Sequence, residues 1–431
     1  MSSTSGSSAD LKHLFCVRTV TCFVSLQSED LNHCPKAGGD GLTSTIRKAS
    51  DVLRHVQSVL EEHGYVVQTT RLVTNPFGEW LLPLTNGDTA ITVRTTIAKI
   101  DRLLEQHDIE FCALGPARTV DELPVCINIC SQSHRISCSA RLEANDVAMA
   151  RAAAETVIAL SKLDHGPHVA NGLANFRFCV ASSNCNRDGS PIPFFPAATT
   201  ILRTPGTEMT VAIGLENGAL AHELIGRCRS IANIPTEFAR DMTKALTPLQ
   251  EACEKAVCDY NTSAGSAIRY LGMDTSLNPS LDPTLQGSVA AAIETLDEVQ
   301  TFGGPGSLAA AAAITTSIQS LPGILQTGYC GLMLPVCEDR RLAELADSNA
   351  IRISDLLSVS HVCGVGVDTV PIAADSSIQE LQGLMLDVVG LATRWGKSLS
   401  CRVFPVPGKR VGDITAFESP YMINAKILPI S

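Results

Sequence analysis

Sixteen cysteines are present in the 431-residue sequence, yet no two are spaced C-x-x-C. That excludes a zinc ribbon, a ferredoxin-type cluster run and a thioredoxin motif. There is also no G-x-x-x-x-G-K-[ST] loop, no G-x-G-x-x-G after the first predicted strand and no G-x-S-x-G elbow. Phosphate cradling of the P-loop kind, a dinucleotide site for NAD and the α/β-hydrolase nucleophile are therefore not expected. Aromatic residues make up 4% of the chain and charged residues 18%. Lys+Arg is 33 against Asp+Glu 44, a net charge of −11, and no basic block occurs. Nucleic-acid binding needs clustered cations, so it is not expected either. The longest uncharged stretch, 299–337, is broken by Gly303, Gly304, Pro305, Gly306, Pro322 and Gly323. It falls short of the roughly 20 apolar residues a membrane span needs.

What is present is enough apolar material, 45% of the residues, for a sizeable core. The cysteines sit in apolar strings such as Phe15-Cys16-Val17 and Phe178-Cys179-Val180, and read as small buried hydrophobes. The N-terminus is polar, with no secretory pattern, so a reducing cytoplasmic location is expected. Residues 1–10 read as a disordered tail and 11–431 as one domain. Period-two runs at 14–26, 65–73, 109–114, 124–129, 137–142, 176–181, 209–213, 329–334, 365–370 and 399–406 predict strands. Helical spacing predicts helices at 45–63, 91–107, 145–163, along 217–269, and at 288–299, 307–320, 340–347, 351–359 and 377–393. This alternation argues for an α/β fold with much parallel pairing. Residues 274–286 read as a boundary or an ordered functional loop.

Three segments carry candidate chemistry. In Val362-Cys363-Gly364-Val365-Gly366-Val367-Asp368, two glycines allow close backbone approach. A thiol beside free amides can act as nucleophile or acid/base, with His361 nearby; a structural glycine turn is the alternative. In Pro335-Val336-Cys337-Glu338-Asp339, paired carboxylates end the uncharged run. They suit a raised pKa or a divalent cation, while Asp339 is also placed to cap a helix beginning at Arg340. Arg177, in Asn175-Phe176-Arg177-Phe178, and Arg18, in Val17-Arg18-Thr19, each need an anionic partner, from the protein or from a ligand.

These segments resemble the domain of unknown function 711 family, related to uncharacterised protein family 0210. Val17-Arg18-Thr19-Val20-Thr21, Thr74-Asn75-Pro76-Phe77 and Phe194-Phe195-Pro196-Ala197-Ala198 carry the resemblance. So do 334–339, 362–371 and Val406-Pro407-Gly408-Lys409 with Gly412-Asp413. The resemblance implies a pyruvate formate-lyase-like fold: one large, roughly ten-stranded α/β barrel with a cysteine-bearing finger loop at 362–371. Glycyl-radical enzymes set their glycine in Arg-Val-x-Gly-aromatic, whereas this chain reads Arg410-Val411-Gly412-Asp413, so no glycyl radical is expected. The expected function is a non-radical enzyme acting on a small anionic metabolite, by an isomerase, lyase or hydrolase step. Cys363, Asp368 and His361 are the expected catalytic residues. Arg18, Arg177, Gly364, Gly366 and Lys409 are expected at the substrate. Glu338, Asp339 and Asp413 are expected at a possible Mg²⁺ or Ca²⁺. The competing expectation is a ligand-binding regulatory protein without catalysis, and either could form a homo-oligomer.

Overall fold

The computed structural model describes residues 11–31, 33–34, 39–84, 89–182, 191–200 and 209–430. The expected tail at 1–10 lies outside the described residues.

The strands of the main sheet are β1 (Cys16–Val24), β2 (Thr70–Val73), β3 (Phe111–Ala117), β4 (Ile136–Leu142) and β5 (Phe178–Ser182), followed by β6 (Met209–Glu216), β7 (Arg269–Asp274), β8 (Gly366–Ala373) and β9 (Ser400–Val406). Their order is β8-β9-β5-β4-β3-β2-β1-β6-β7. Strands β1 to β5 are parallel neighbours. The parallel pairs β8–β9 and β6–β7 join them antiparallel, at β9–β5 and β1–β6. Residues 326–335 run between the two ends of this order. They make isolated parallel bridges, Met273 with Gln326 and Leu277 with Leu332 on one side, Pro335 with Asp368 on the other.

The helices are α1 (Gly41–Glu62), α2 (Thr89–Gln106), α3 (Leu123–Gln132), α4 (Val147–Ser161), α5 (Gly218–Cys228) and α6 (Ala239–Ala264), then α7 (Val289–Ile293), α8 (Ser307–Ile318), α9 (Arg340–Asp347), α10 (Ile353–Ser360) and α11 (Ile378–Trp395). None of the described helices is long and apolar enough to cross a membrane.

Alternation along the strands separates two faces. Cys22, Leu72 and Cys112 belong to the large core that includes buried residues of α1, α2 and α3. On the other face Thr21, Arg71 and Phe111 lie in register across β1, β2 and β3. Two residues further along, Phe23, Val73 and Ala113 form a small separate cluster with Ala198 and Ala212. The helix-covered face is thus apolar, while the other, more polar face mixes Thr21 and Arg71 with Phe23, Val73, Phe111 and small side chains.

Four elements differ from expectation, among them the helix expected at 288–299, which spans only Val289–Ile293. Residues 124–129 are helix, not strand: Pro124 sits in the first turn, and Val125, Cys126, Ile129 and Cys130 bury one face at helical spacing. The helical pattern through 269 stops earlier, because Gly265 takes a left-handed cap at φ 61° and β7 follows. Gly272 inside β7 lets the backbone approach Leu325, whose carbonyl would lie 2.4 Å from an added Cβ. Residues 329–334 make isolated bridges rather than a regular strand, with Cys330 at φ +45°.

Candidate functional site

A cavity of about 480 Å³ opens against the polar face of the sheet. Strand residues supply Arg18, Arg71, Ser137 and Arg402, while loops supply Phe195, Glu338 and Tyr421. Residues Asn278 and Leu281 place the 274–286 segment on its wall, as an ordered loop. Tyr421 stacks on Phe176 at 5.9 Å and 12°, and meets Phe111 edge-on at 5.9 Å. Gly214 has no Cβ because the Phe194 ring lies where one would be, 2.5 Å away.

Arg402 organises one side. Its Nε donates to Asp368 Oδ1 at 2.6 Å and its Nη2 to Asp368 Oδ2 at 3.0 Å and Glu338 Oε1 at 3.0 Å. Parallel pairing of β8 with β9, and the bridge from Pro335 to Asp368, bring the three residues together. Burial pulls the Arg402 guanidinium down, but the Asp368 and Glu338 carboxylates outweigh it and hold it above its ordinary value. Burial raises the Glu338 carboxyl, Arg402 opposes that, and Asp368 reinforces it. Glu338 is thus a carboxyl whose proton is held more firmly than in water, at the wall of a cavity.

Four further arginines line this space, and one of them, Arg135, lies 3.7 Å from Glu105. Arg18 is answered by the protein: its Nη1 donates to Glu216 Oε2 at 2.7 Å and Gln68 Oε1 at 2.9 Å. Arg71 is only 8% exposed, and its Nε donates to Thr69 Oγ1 at 3.2 Å. Its guanidinium stands 5.0 Å from the Phe195 ring centroid and 5.6 Å from that of Phe111. Arg177 is 6% exposed and donates to the carbonyls of His168 at 2.9 Å and Cys130 at 2.6 Å, while its Nε has no partner among the described residues. Among the described residues no carboxylate pairs with Arg71 or Arg177. Burial pushes the Arg71 guanidinium down to about 9, with repulsion from Arg18 adding to it. Burial also lowers Arg177. A guanidinium keeps its proton at any ordinary pH, so the cost appears as buried positive charge, which Glu338 offsets only in part at Arg71.

The cysteine loop borders a different cavity, of about 410 Å³, together with His361, Gly364 and Lys397. Cys363 is buried, and its sulfur accepts from the Leu332 amide at 2.8 Å. Burial raises the thiol, and the surrounding amides only partly offset that. A thiol held up in this way is a weak nucleophile at neutral pH. His361 closes the end of α10 with Nδ1 3.1 Å from the Leu357 carbonyl. Lys397 Nζ donates to the Cys363 carbonyl at 2.7 Å and to that of Ser360, covering the C-terminal end of α10. Tyr329 lines both cavities, its hydroxyl donating to Ser400 at 3.1 Å. The structure therefore brings together Arg18, Arg177, Glu338 and Asp368 at one cavity, and Cys363, His361 and Gly364 at another.

The remaining expected residues have structural surroundings. Asp339 is fully buried and accepts from Ser288 Oγ at 2.5 Å and from the amides of Val289, Ala290 and Leu342 at 2.9, 3.3 and 3.1 Å. It caps α9 and also ties down the start of α7. Asp413 is exposed and accepts from the Arg410 amide at 2.8 Å, inside a surface turn. Glu338, Asp339 and Asp413 therefore do not share a site. Among the described residues no three His, Cys, Asp or Glu side chains are grouped as metal ligands. Lys409 borders neither cavity; its backbone carbonyl accepts from Ala374. At Gly366, φ is +106° and an added Cβ would meet the Ser400 carbonyl at 2.2 Å, so this glycine permits the β8–β9 contact. Gly412 has φ +94° and open space around it. Gly412→Ala is expected to lower stability by about 1 kcal/mol, from backbone strain alone, as read by urea denaturation.

Arg71 and Arg402 went unnoticed as site residues in the sequence, although they carry the same signal as Arg18: an arginine inside an otherwise apolar strand. A family model described as Uncharacterised ACR (DUF711) matches residues 11–418. The chain belongs to that family. A UPF0210 protein from Pyrobaculum arsenaticum is 27% identical over 374 residues, 83% of this chain and 77% of the relative. A UPF0210 protein from Bifidobacterium longum is 32% identical over 177 residues, 39% of this chain and 38% of the relative. Among solved structures, the anaerobic ribonucleotide reductase from Thermotoga maritima, with citrate in its active site, matches at 10% identity and a TM-score of 0.37. That match covers 90% of this chain and 80% of the reductase chain. The family expected from the motifs is thus the family found.

Proposed function

We propose that this family member is a non-radical enzyme that moves a proton on a small anionic metabolite in the larger cavity. One observation carries the reading: two buried guanidiniums, Arg71 and Arg177, border the cavity with no carboxylate partner among the described residues. A bound anion relieves that charge, and charge-assisted forks to a carboxylate or phosphate are strong. Glu338 is the proton-transfer group, because burial raises its carboxyl towards the range useful for acid/base work. Arg402 holds it in place and stabilises its charged form, while Asp368, bound to the same guanidinium, disfavours that charge. Cys363 borders the smaller cavity and takes no part in this step. The same reading closes the sheet into a roughly ten-stranded barrel, supported by the bridges from 326–335 to both ends of the strand order.

The test incubates the full chain in D₂O with a series of 2-oxo and 2-hydroxy acids and follows carbon-bound hydrogen exchange by NMR. Exchange on at least one acid is expected, falling about 100-fold or more in Glu338→Gln and unchanged in Cys363→Ser. Binding of these acids without any exchange would instead favour a regulatory ligand-binding protein. Loss of exchange in Cys363→Ser would return the chemistry to the thiol.

A further inference from the structure

Arg71 and Arg177 occupy separate stations of the same wall. Arg71 lies on β2, in register with Phe111 on β3. Arg177 immediately precedes Phe178, where β5 pairs with Cys138 of β4. Neighbouring strands lie about 4.8 Å apart, so three strand intervals separate the two backbones by about 14 Å. Both side chains reach the one cavity. They therefore enter its wall from different strands.

Their surroundings differ as well. Arg71 lies against the Phe195 and Phe111 rings and has no carboxylate partner among the described residues. Arg177 is fixed by two carbonyls and keeps one Nε proton unmatched. Each is more than nine-tenths buried. Each is a buried cation without a carboxylate partner among the described residues, at its own strand of the wall, so each is placed to take an anionic group of its own. Arg18 and Arg402 make no such demand, because Glu216, Asp368 and Glu338 answer them. Phe111, Arg135 and Ser137, on or beside the strands between, line the same cavity, as do the stacked rings of Phe176 and Tyr421.

We infer that the ligand of this cavity is a dianion, a short organic acid with two separate carboxylate or phosphate groups, one held by Arg71 and the other by Arg177. This deepens the anionic-metabolite reading and rests on it. The length of the ligand is set by the gap between the two guanidiniums. A monoanion of the same carbon length leaves one buried cation unanswered, which is the origin of selectivity against it.

The test is calorimetric titration of the full chain with malonate, succinate, glutarate and adipate, each beside the monocarboxylate of equal carbon number. A further pair, 3-phosphoglycerate and glycerate, distinguishes phosphate from carboxylate at one end. The best diacid, or the phosphoacid, is expected to bind at least about tenfold tighter than its monoanionic match, the worth of one charge-assisted contact. That ratio is expected to fall towards one in Arg177→Gln and in Arg71→Gln. Arg177 also braces two carbonyls, so circular dichroism checks that its variant folds. Should it not, Arg71→Gln carries the test, because among the described residues the Arg71 side chain donates only to Thr69. Equal binding of diacid and monoacid, or an unchanged ratio in Arg71→Gln, overturns the dianion. No binding of any acid overturns the anionic-metabolite reading itself. A strong ratio with no hydrogen exchange leaves the dianion standing and removes only the acid/base step.

Discussion

Arg402→Ala is expected to cost about 3–5 kcal/mol of stability, because it strands two carboxylates that share one guanidinium. Asp368 and Glu338 both bond to Arg402, and all three side chains are at least four-fifths buried, at 16%, 16% and 8% exposure. The loss exceeds that of an ordinary surface ion pair, worth about 0–1 kcal/mol, since water cannot take over the role of the guanidinium. The effect has a pH signature. Burial already raises Glu338 in the wild type, and removing Arg402 takes away the main influence that opposes it. A carboxyl raised in the folded state binds protons more tightly there than in the unfolded chain. Its stabilising contribution is therefore full below the ordinary glutamate value and is lost as pH rises through the folded value. The variant should accordingly regain stability on acidification from neutral pH, where it falls furthest behind the wild type. Urea unfolding at several pH values reads both effects. A loss under about 1 kcal/mol at neutral pH would mean that the carboxylates are well solvated by the cavity.

Asp339→Ala is expected to cost about 2–4 kcal/mol. Its carboxylate serves the amide of Leu342 in α9 and those of Val289 and Ala290 in α7, besides the Ser288 hydroxyl. Removing it leaves buried donors at two helix starts without acceptors. Ser288 Oγ still accepts from Ala291, so α7 keeps part of its cap. Asp339→Asn retains one acceptor oxygen and should recover roughly half of the loss. Addition of Mg²⁺ or Ca²⁺ should not change the melting temperature through this residue, because its oxygens are already engaged by protein donors. A calcium-dependent melting shift abolished by Asp339→Asn would contradict that assignment.

The sequence by itself determined the family, the α/β alternation and most helices. Local periodicity and caps suffice there: the 340–347 helix was legible to the residue, and Asp339 was already a visible cap candidate. Arg18 and Arg177 were legible as charges that apolar neighbours could not satisfy. Short apolar runs were not decided locally, so 124–129 read as a strand until its buried face showed helical spacing. Pairing was decided only by tertiary structure. Nothing near Asp368 in the chain announces Arg402, which lies 34 residues away and reaches it because β8 and β9 run side by side. In the same way, Cys363 and Asp368 are five residues apart yet border different cavities, because the chain passes from the loop beside Leu332 into β8 between them. Spacing along a chain records which residues can be neighbours. Strand order and the face each side chain takes decide which ones are, since they set which buried charges meet and which remain to be answered by a ligand.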